Sequence, residues 1–402
     1  MDSNDRLVMV LSALNAAPLL NRLEEERKGR RNDYPVRSMW YTLIAGIVYE
    51  IPTISGLIRE LERNPGLRYL CGIKSQREVP RPWTYSRFLN HLVRHAGYLD
   101  AMMRELVNSL SEALPGFGET LVIDSTDVAA YSNRFRKPSS DSDAGWGVKT
   151  KSSSGSNKAN DRYYWLGYKL HLIVDARYEL PVQYQVTAAN VNDTTQLIPQ
   201  IEDIRVKQPE LLGRTEYLVA DAGYDSEKNH RYLYEKLGIK GIIPLNLGNE
   251  KEPPGICNSL GTPLCAANKP MSYAGYDNGF LKYRAPCIVQ GFDCPLGVHG
   301  RCCHPKSYGT VVKLRVRDNP RRYSPVPRES KKWKRIYRKR TAIERVNSRL
   351  KRHLLIDQVY VRGKRKVATR LGLSVLVMLA AAVAMAKRGQ YEKVRSVVQL
   401  VA

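Results

Sequence analysis

Two aspartates each follow a short run of apolar residues. Asp124 follows Leu-Val-Ile in the segment 120–126, and Asp221 follows Leu-Val-Ala in the segment 216–225. Such runs are typical of buried β-strands, and a carboxylate at the end of a buried strand can bind a metal ion where a cleft opens. A single aspartate of this kind is more often a turn or helix cap. We favour the capping interpretation for four others: Asp127, Asp175, Asp193 and Asp225.

A third acid lies in the predicted helix 337–351. Tyr337, Arg340, Glu344 and Lys351 are three, four and seven residues apart, so they project from one helical face. The opposite face is apolar and can pack on a sheet; its residues are Ile343, Val346 and Leu350. A salt-bridging surface glutamate is the alternative interpretation of Glu344. Packing on the sheet would instead hold the polar row over the strand ends.

Three carboxylates in this arrangement suit phosphodiester chemistry. Two divalent ions about 4 Å apart can activate a water or a 3′-hydroxyl and stabilise the leaving oxygen. Hard oxygen ligands favour Mg²⁺ or Mn²⁺ over zinc. Arg340 and Lys351 would then bind phosphates beside the scissile bond, and Tyr337 would stack on a base or bond a phosphate. Asp124, Asp221 and Glu344 are therefore our candidate catalytic residues and ligands of two metal ions.

The charge distribution favours a polyanionic partner. The 402-residue chain has 64 Lys and Arg against 39 Asp and Glu, a net charge of +25. Between residues 301 and 370 there are 24 basic and four acidic residues, so this segment carries +20 of that charge. A solvated basic face is the alternative, but a field this concentrated attracts nucleic acid before any specific contact forms. We expect double-stranded DNA as the partner.

The elements that position these residues form an α/β fold. The predicted strands are 120–126, 168–176, 180–189, 216–225 and 238–246, the last two alternating with helices. This order predicts a mixed five-stranded sheet flanked by helices, as in the ribonuclease H-like fold. The polar segment 133–161 is predicted to be a mobile loop.

Four regions divide the chain. Residues 1–115 read as a helical N-terminal domain that binds DNA or a second subunit, and 116–246 as the first part of the catalytic core. Residues 247–328 are a Cys-containing insertion, rich in Pro and Gly. Residues 329–402 are the helical C-terminal part of the core, beginning with a long basic helix near Glu329.

Seven cysteines, an odd number, fit a reducing compartment better than a disulfide framework. Six of them lie in the insertion and precede a histidine: Cys257, Cys265, Cys287, Cys294, Cys302, Cys303 and His304. They include no Cys-x2-Cys pair. We favour reduced structural cysteines, with a structural zinc site as the less favoured alternative.

The sequence favours a cytoplasmic protein with no membrane partner. Asp2 and Asp5 precede the first apolar stretch, where a signal peptide would be basic. The apolar run 371–386 is short for a membrane span and is rich in alanine. We expect it to be a buried C-terminal helix.

The four-residue row Tyr337-x2-Arg340-x3-Glu344-x6-Lys351 resembles the signature of a large branch of bacterial insertion-sequence DDE transposases. The segments VIDST and VADAGYD resemble those carrying that family's first and second aspartate. The resemblance extends over about 118–246 and 328–388, and the N-terminal region is similar to the helical domain of many members.

The resemblance implies roles for these residues. Asp124, Asp221 and Glu344 match the metal ligands, and Tyr337, Arg340 and Lys351 match residues that contact the transposon end. It implies cleavage at terminal inverted repeats and joining of the freed 3′-hydroxyl to target DNA, and we expect a homodimer to bring two ends together. Related enzymes often place an aromatic residue of the insertion against a flipped base. The candidates here are Tyr273, Tyr276, Phe280, Tyr283 and Phe292.

Two other functions stay open. The same acids suit a ribonuclease H-like nuclease or resolvase that has no joining activity. A non-catalytic DNA-binding regulator, in which the cysteine segment is a zinc module and the acids are structural, is the third hypothesis.

Overall fold

A computed structural model describes residues 3–27, 34–150, 162–248, 257–296 and 309–396. The chain begins with a group of helices separated by capped turns. The Thr53 hydroxyl accepts a hydrogen bond from Gly56 N at 3.0 Å, and Asn64 both ends one helix and caps the next. The helices are α1 Ser3–Ala13, α2 Ala17–Glu25, α3 Val36–Val48, α4 Ile54–Arg63, α5 Pro65–Leu70, α6 Pro82–Arg94 and α7 Ala96–Ala113.

The helices lead into a mixed sheet, as the sequence predicts. β1 (Thr120–Ala129) pairs antiparallel with β3 (Arg162–Asp175) and parallel with β5 (Tyr217–Val219). β3 also pairs antiparallel with β4 (Leu180–Ala188), and β5 pairs parallel with β6 (Lys240–Ile242).

The predicted count of five strands is wrong, because β2 (Gly145–Thr150) also pairs with β3 and makes six. β2 lies inside the predicted loop 133–161. Because β2 contains two glycines and few apolar residues, its sequence did not indicate a strand. Gly147 is required there because a Cβ would stand 2.3 Å from the ring of Trp165.

Shorter elements complete the central part of the chain. After β4 come α8 (Leu197–Lys207) and α9 (Pro209–Gly213), and after β5 comes α10 (Glu227–Arg231), which continues as a π-helical turn. The predicted insertion contains its own antiparallel sheet of β7 (Ser272–Asp277), β8 (Phe280–Arg284) and β9 (Val311–Arg315), with α11 (Pro286–Gln290) between the last two. This sheet has a small separate apolar cluster that includes Leu281 and Tyr283.

The predicted long basic helix begins at Lys331 and contains one turn of 3₁₀ helix. α12 (Lys331–Tyr337) begins where the Ser330 hydroxyl accepts a hydrogen bond from Trp333 N at 3.1 Å. One turn of 3₁₀ helix, Arg338–Arg340, then leads into α13 (Thr341–His353). This turn carries three consecutive cations: Arg338, Lys339 and Arg340.

The last long helix, α14 (Lys364–Lys387), is the centre of the apolar core. It packs against α7, α1 and β4, so the N-terminal helices and the sheet share one continuous core. Gly372 permits this packing, because a Cβ there would lie 2.1 Å from the Tyr184 hydroxyl. The helix is long and apolar enough to cross a membrane, but 89% of its most apolar window is buried inside the protein. The prediction of a buried helix is confirmed.

Candidate active site

The sheet brings Asp124 and Asp221 to the same level on neighbouring strands. Val122 of β1 pairs with Val219 of the parallel strand β5, and each aspartate lies two residues beyond its valine. Asp124 is still within β1. Asp221 lies just past the end of β5, where its Oδ1 accepts a hydrogen bond from Gly223 N at 2.9 Å and caps a 3₁₀ turn.

The Asp124 carboxyl lies in an unfavourable electrostatic position. Burial and the nearby negative charge of Asp221 raise its pKa to about 6, although a hydrogen bond from Ser125 N and the positive charge of Arg340 oppose the rise. The side chain is 20% exposed. A negatively charged pair of this kind is stabilised by a proton or by a cation placed between the two carboxyl groups.

Arg340 connects the sheet to the third acid. Its Nη1 lies 3.8 Å from Asp124 Oδ2, and its Nη2 donates a 2.5 Å hydrogen bond to Glu344 Oε1. Glu344 is half-exposed on α13. Within the described parts of the chain, no three His, Cys, Asp or Glu side chains lie close enough to hold one metal ion. The structure thus pairs the two aspartates and places Glu344 on the far side of a guanidinium.

The apolar face of α13 determines this position. Ile343, Val346 and Leu350 are fully buried, and the helix packs across β1 and β3. Burying this stripe stabilises the helix on the sheet and turns the opposite, charged face toward the strand ends.

Tyr337 and Lys351 flank this centre. The Tyr337 ring stacks on Trp333, with 4.7 Å between centroids, and burial raises its pKa while Arg340 opposes that rise. Lys351 Nζ lies 3.6 Å from Asp127 Oδ1 and 3.3 Å from Asp357 Oδ1.

Asp127 has a different role from the cap that we predicted. Its Oδ1 also accepts a 3.1 Å hydrogen bond from Lys149, and despite burial the two lysines lower the pKa of Asp127. Asp127 therefore joins β2 to α13 beside the candidate site.

The other three aspartates have structural partners. Asp175 accepts hydrogen bonds from three backbone N–H groups and fixes a turn, as predicted. Asp225 is completely buried, and its partners are Arg321, His230 and Asn246 N. Asp193 accepts a 3.0 Å hydrogen bond from Lys169, so neither it nor Asp225 is only a cap.

Sequence reasoning missed two buried side chains beside the acids. The Tyr224 ring is fully buried; burial and the negative charges of Asp124, Asp193 and Asp221 raise its pKa. His171 is also buried, and desolvation lowers its pKa to about 4, so the ring is neutral. His171 Nε2 lies 2.8 Å from the Thr187 hydroxyl. Tyr224 lies in the segment VADAGYD and His171 in the predicted strand 168–176. Neither position in the sequence indicated that the side chain would lie near the acids.

The insertion supplies less to the site than the core does. Among its five aromatic candidates, Tyr283 is buried and makes an edge-to-face contact with Tyr273, whereas the other four are partly exposed. Cys257, Cys265 and Cys294 are free thiols. Cys302, Cys303 and His304 lie outside the described residues, so the zinc alternative stays untested.

Comparisons with known proteins indicate the family of this chain. A family model described as a transposase DDE domain matches residues 115–380, and one described as a transposase domain (DUF772) matches residues 1–91. A putative transposase for insertion sequence element IS402 from Burkholderia cepacia is 41% identical over 80 residues, which are 19% of this chain and 37% of that protein. The cryo-EM structure of the piggyBac transposase synaptic complex with hairpin DNA has a TM-score of 0.40 and 10% identity, covering 92% of this chain and 70% of that one.

Proposed function

Because this chain belongs to the transposases with a DDE domain, we propose that it cleaves DNA at the ends of a transposable element and joins the freed 3′-hydroxyl to target DNA. The observation that supports this most is the pair of Asp124 and Asp221 at the same level of two parallel strands, below Arg340 and Glu344. The strand order, three antiparallel strands followed by two parallel ones, supports a ribonuclease H-like core in which β2 is an additional strand beside β3.

The donor set fits divalent cations. Asp124, Asp221 and Glu344 offer only carboxylate oxygens, which Mg²⁺ and Mn²⁺ prefer. Burial and the negative charge of Asp221 raise the pKa of Asp124, so a cation bound at this carboxyl group would stabilise its ionised form. We propose that these three residues hold two such ions, which when bound would activate the attacking hydroxyl and stabilise the leaving oxygen.

Arg340 has two roles in this proposal. Without DNA its guanidinium neutralises Glu344 and lies near Asp124. A DNA phosphate offers the same guanidinium two oxygens in a planar geometry, so phosphate binding competes with Glu344. Release of the half-exposed Glu344 carboxylate then makes it available to a metal ion.

Tyr337 and Lys351 extend the DNA contact on either side. Lys351 provides a point charge for a phosphate near Asp127, and the Tyr337 hydroxyl can donate to a phosphate while its ring stays stacked on Trp333. The strongly basic segment 301–370 supplies non-specific attraction to duplex DNA. We further propose that the helical region 1–115 contacts DNA or a second copy, and that a homodimer holds the two ends.

Joining distinguishes this function from simple hydrolysis. The test supplies pre-cut ends carrying the element's own terminal sequence, taken from the DNA flanking the coding region, together with a supercoiled target and Mg²⁺ or Mn²⁺. We expect products in which the 3′-hydroxyl is covalently joined to the target. Hydrolysis without joined products would indicate a nuclease or resolvase instead, and sequence-specific binding without any nicking would indicate a regulator.

A further inference from the structure

A two-stranded ribbon extends from the edge of the sheet beside the candidate site. β3 pairs with β1 and β4 only from Gly167 onward, whereas its first residues, from Arg162, pair with β2. In the described part of the chain, β2 and the start of β3 therefore form an antiparallel ribbon with no further strand beside it. We call β2 together with residues 162–166 the ribbon.

One face of the ribbon exposes large apolar side chains. Val148 and Tyr164 are cross-strand partners, and Trp146 lies on the same face two residues from Val148. Trp146, Val148 and Tyr164 are 52%, 54% and 51% exposed. Adjacent exposed apolar groups on one surface usually mark a binding site.

The other face connects the ribbon to the acids. Tyr163 stacks on Trp165 with 6.0 Å between ring centroids, and Lys149 Nζ lies 5.6 Å from the Trp165 ring centre. The same ammonium bonds Asp127, which Lys351 also contacts. Lys149 thus connects the stacked rings of Tyr163 and Trp165, through Asp127, to the proposed DNA-binding helix α13.

The chemistry of the ribbon indicates its ligand. Its described residues include two cations, Lys149 and Arg162, and no acid. Exposed aromatic rings next to cations bind unpaired nucleic-acid strands, because each base can stack and each phosphate is attracted. Trp146 and Tyr164 are diagonal neighbours on one face, so both rings can stack on bases of the same unpaired strand.

We propose that the ribbon binds unpaired bases of the DNA strand held at the candidate site, with Trp146 and Tyr164 as the stacking residues. This inference rests on the proposed function for the position of the strand. Its ligand is the single-stranded stretch next to the cut, and the ribbon is distinct from the insertion that the family resemblance associates with a flipped base.

The test measures binding of the full chain, in chelator so that no cleavage occurs, to a blunt duplex and to the same duplex with a short single-stranded 3′ overhang. Wild-type protein should prefer the overhang and show quenched tryptophan fluorescence when it binds. Trp146→Leu or Tyr164→Leu should weaken overhang binding about tenfold and leave blunt-duplex binding within about twofold. Tyr164→Phe should keep the preference, because the ring remains.

Tyr391→Leu is the matched control, since Tyr391 is 47% exposed and lies on another part of the chain. The inference is overturned if the overhang gives no preference, if the ribbon variants weaken both DNAs equally, or if they change the oligomeric state without DNA. Each outcome is independent of joining activity. A protein that joins ends but shows no ribbon effect refutes only the inference, and one that keeps the effect but never joins ends refutes only the proposed function.

Discussion

Arg340 of the 3₁₀ turn and Asp124 of β1 approach each other, with 3.8 Å between Nη1 and Oδ2. The same guanidinium is bonded to Glu344, so one cation lies between an acid of the sheet and an acid of the helix. Because a guanidinium and a divalent ion both stabilise carboxylates, the two compete for the same side chains.

Replacing Arg340 by glutamine should therefore strengthen metal binding in the absence of DNA. The change removes the competing positive charge and frees Glu344. We expect the dissociation constant for Mn²⁺ to fall about three- to tenfold, an effect of about 1 kcal/mol, as measured by calorimetry or by electron paramagnetic resonance. Cleavage should fall at the same time, because the phosphate contact is lost.

Arg338→Gln is the control for this prediction. Arg338 lies in the same turn and carries the same charge, but its side chain is exposed and projects elsewhere. Equal changes in Mn²⁺ affinity for the two variants would indicate a general charge effect and contradict a specific role for Arg340.

Asp124→Asn should stabilise the metal-free protein at neutral pH. The folded pKa of about 6 is above the ordinary value of 3.8, so the folded state binds this proton more tightly than the unfolded state does. The resulting stabilisation of the wild type is complete below about pH 4 and is lost as the pH rises through about 6. Asparagine cannot ionise, so the variant does not lose this stability as the pH rises.

The expected gain for Asp124→Asn at pH 7.5 is on the order of 2 kcal/mol in the free energy of unfolding, measured with urea in the presence of chelator. The gain should vanish near pH 4, and added Mg²⁺ should reduce it by stabilising the wild type. A variant that is equally stable or less stable than the wild type at pH 7.5 would show that Asp124 is not destabilised by its surroundings.

Asp225→Ala should destabilise the fold without removing a metal ligand. Its completely buried carboxylate is bonded to Arg321 and His230, and removing it takes the counter-ion from the partly buried Arg321 guanidinium. We expect the free energy of unfolding to fall by about 3–5 kcal/mol in urea denaturation. Glu227→Ala, which breaks an exposed ion pair with Arg231, should cost at most about 1 kcal/mol. Equal effects of the two changes would contradict a structural role for Asp225.

The strands that carry the aspartates could be predicted, because a short continuous run of apolar residues is typical of a strand that is buried on both faces. The helix face could also be predicted, since Ile343, Val346 and Leu350 repeat at helical spacing and are buried as expected. β2 could not. It is a strand because Trp165 of β3 covers Gly147, and this contact cannot be read from the local sequence.

The arrangement around Glu344 also could not be predicted from the local sequence. Tyr337, Arg340 and Glu344 remain neighbours along one helical face, and Arg340 also lies between Glu344 and Asp124. That position depends on how α13 packs across β1, and it could be seen only once the sheet was in place. The same holds for Tyr224, whose burial beside the acids comes from the turn that Asp221 caps.

The most direct test of the account is metal-dependent nicking of DNA that carries the element's terminal sequence, by the wild type and by Asp124→Ala, Asp221→Ala and Glu344→Ala. Each variant should nick at least about a thousandfold more slowly in Mg²⁺ or Mn²⁺, a loss of about 4 kcal/mol, while still binding the DNA in chelator. Asp277→Ala, at an exposed surface ion pair of the insertion, should nick at the wild-type rate. Undiminished nicking by all three variants would contradict the assignment of these acids as the catalytic residues.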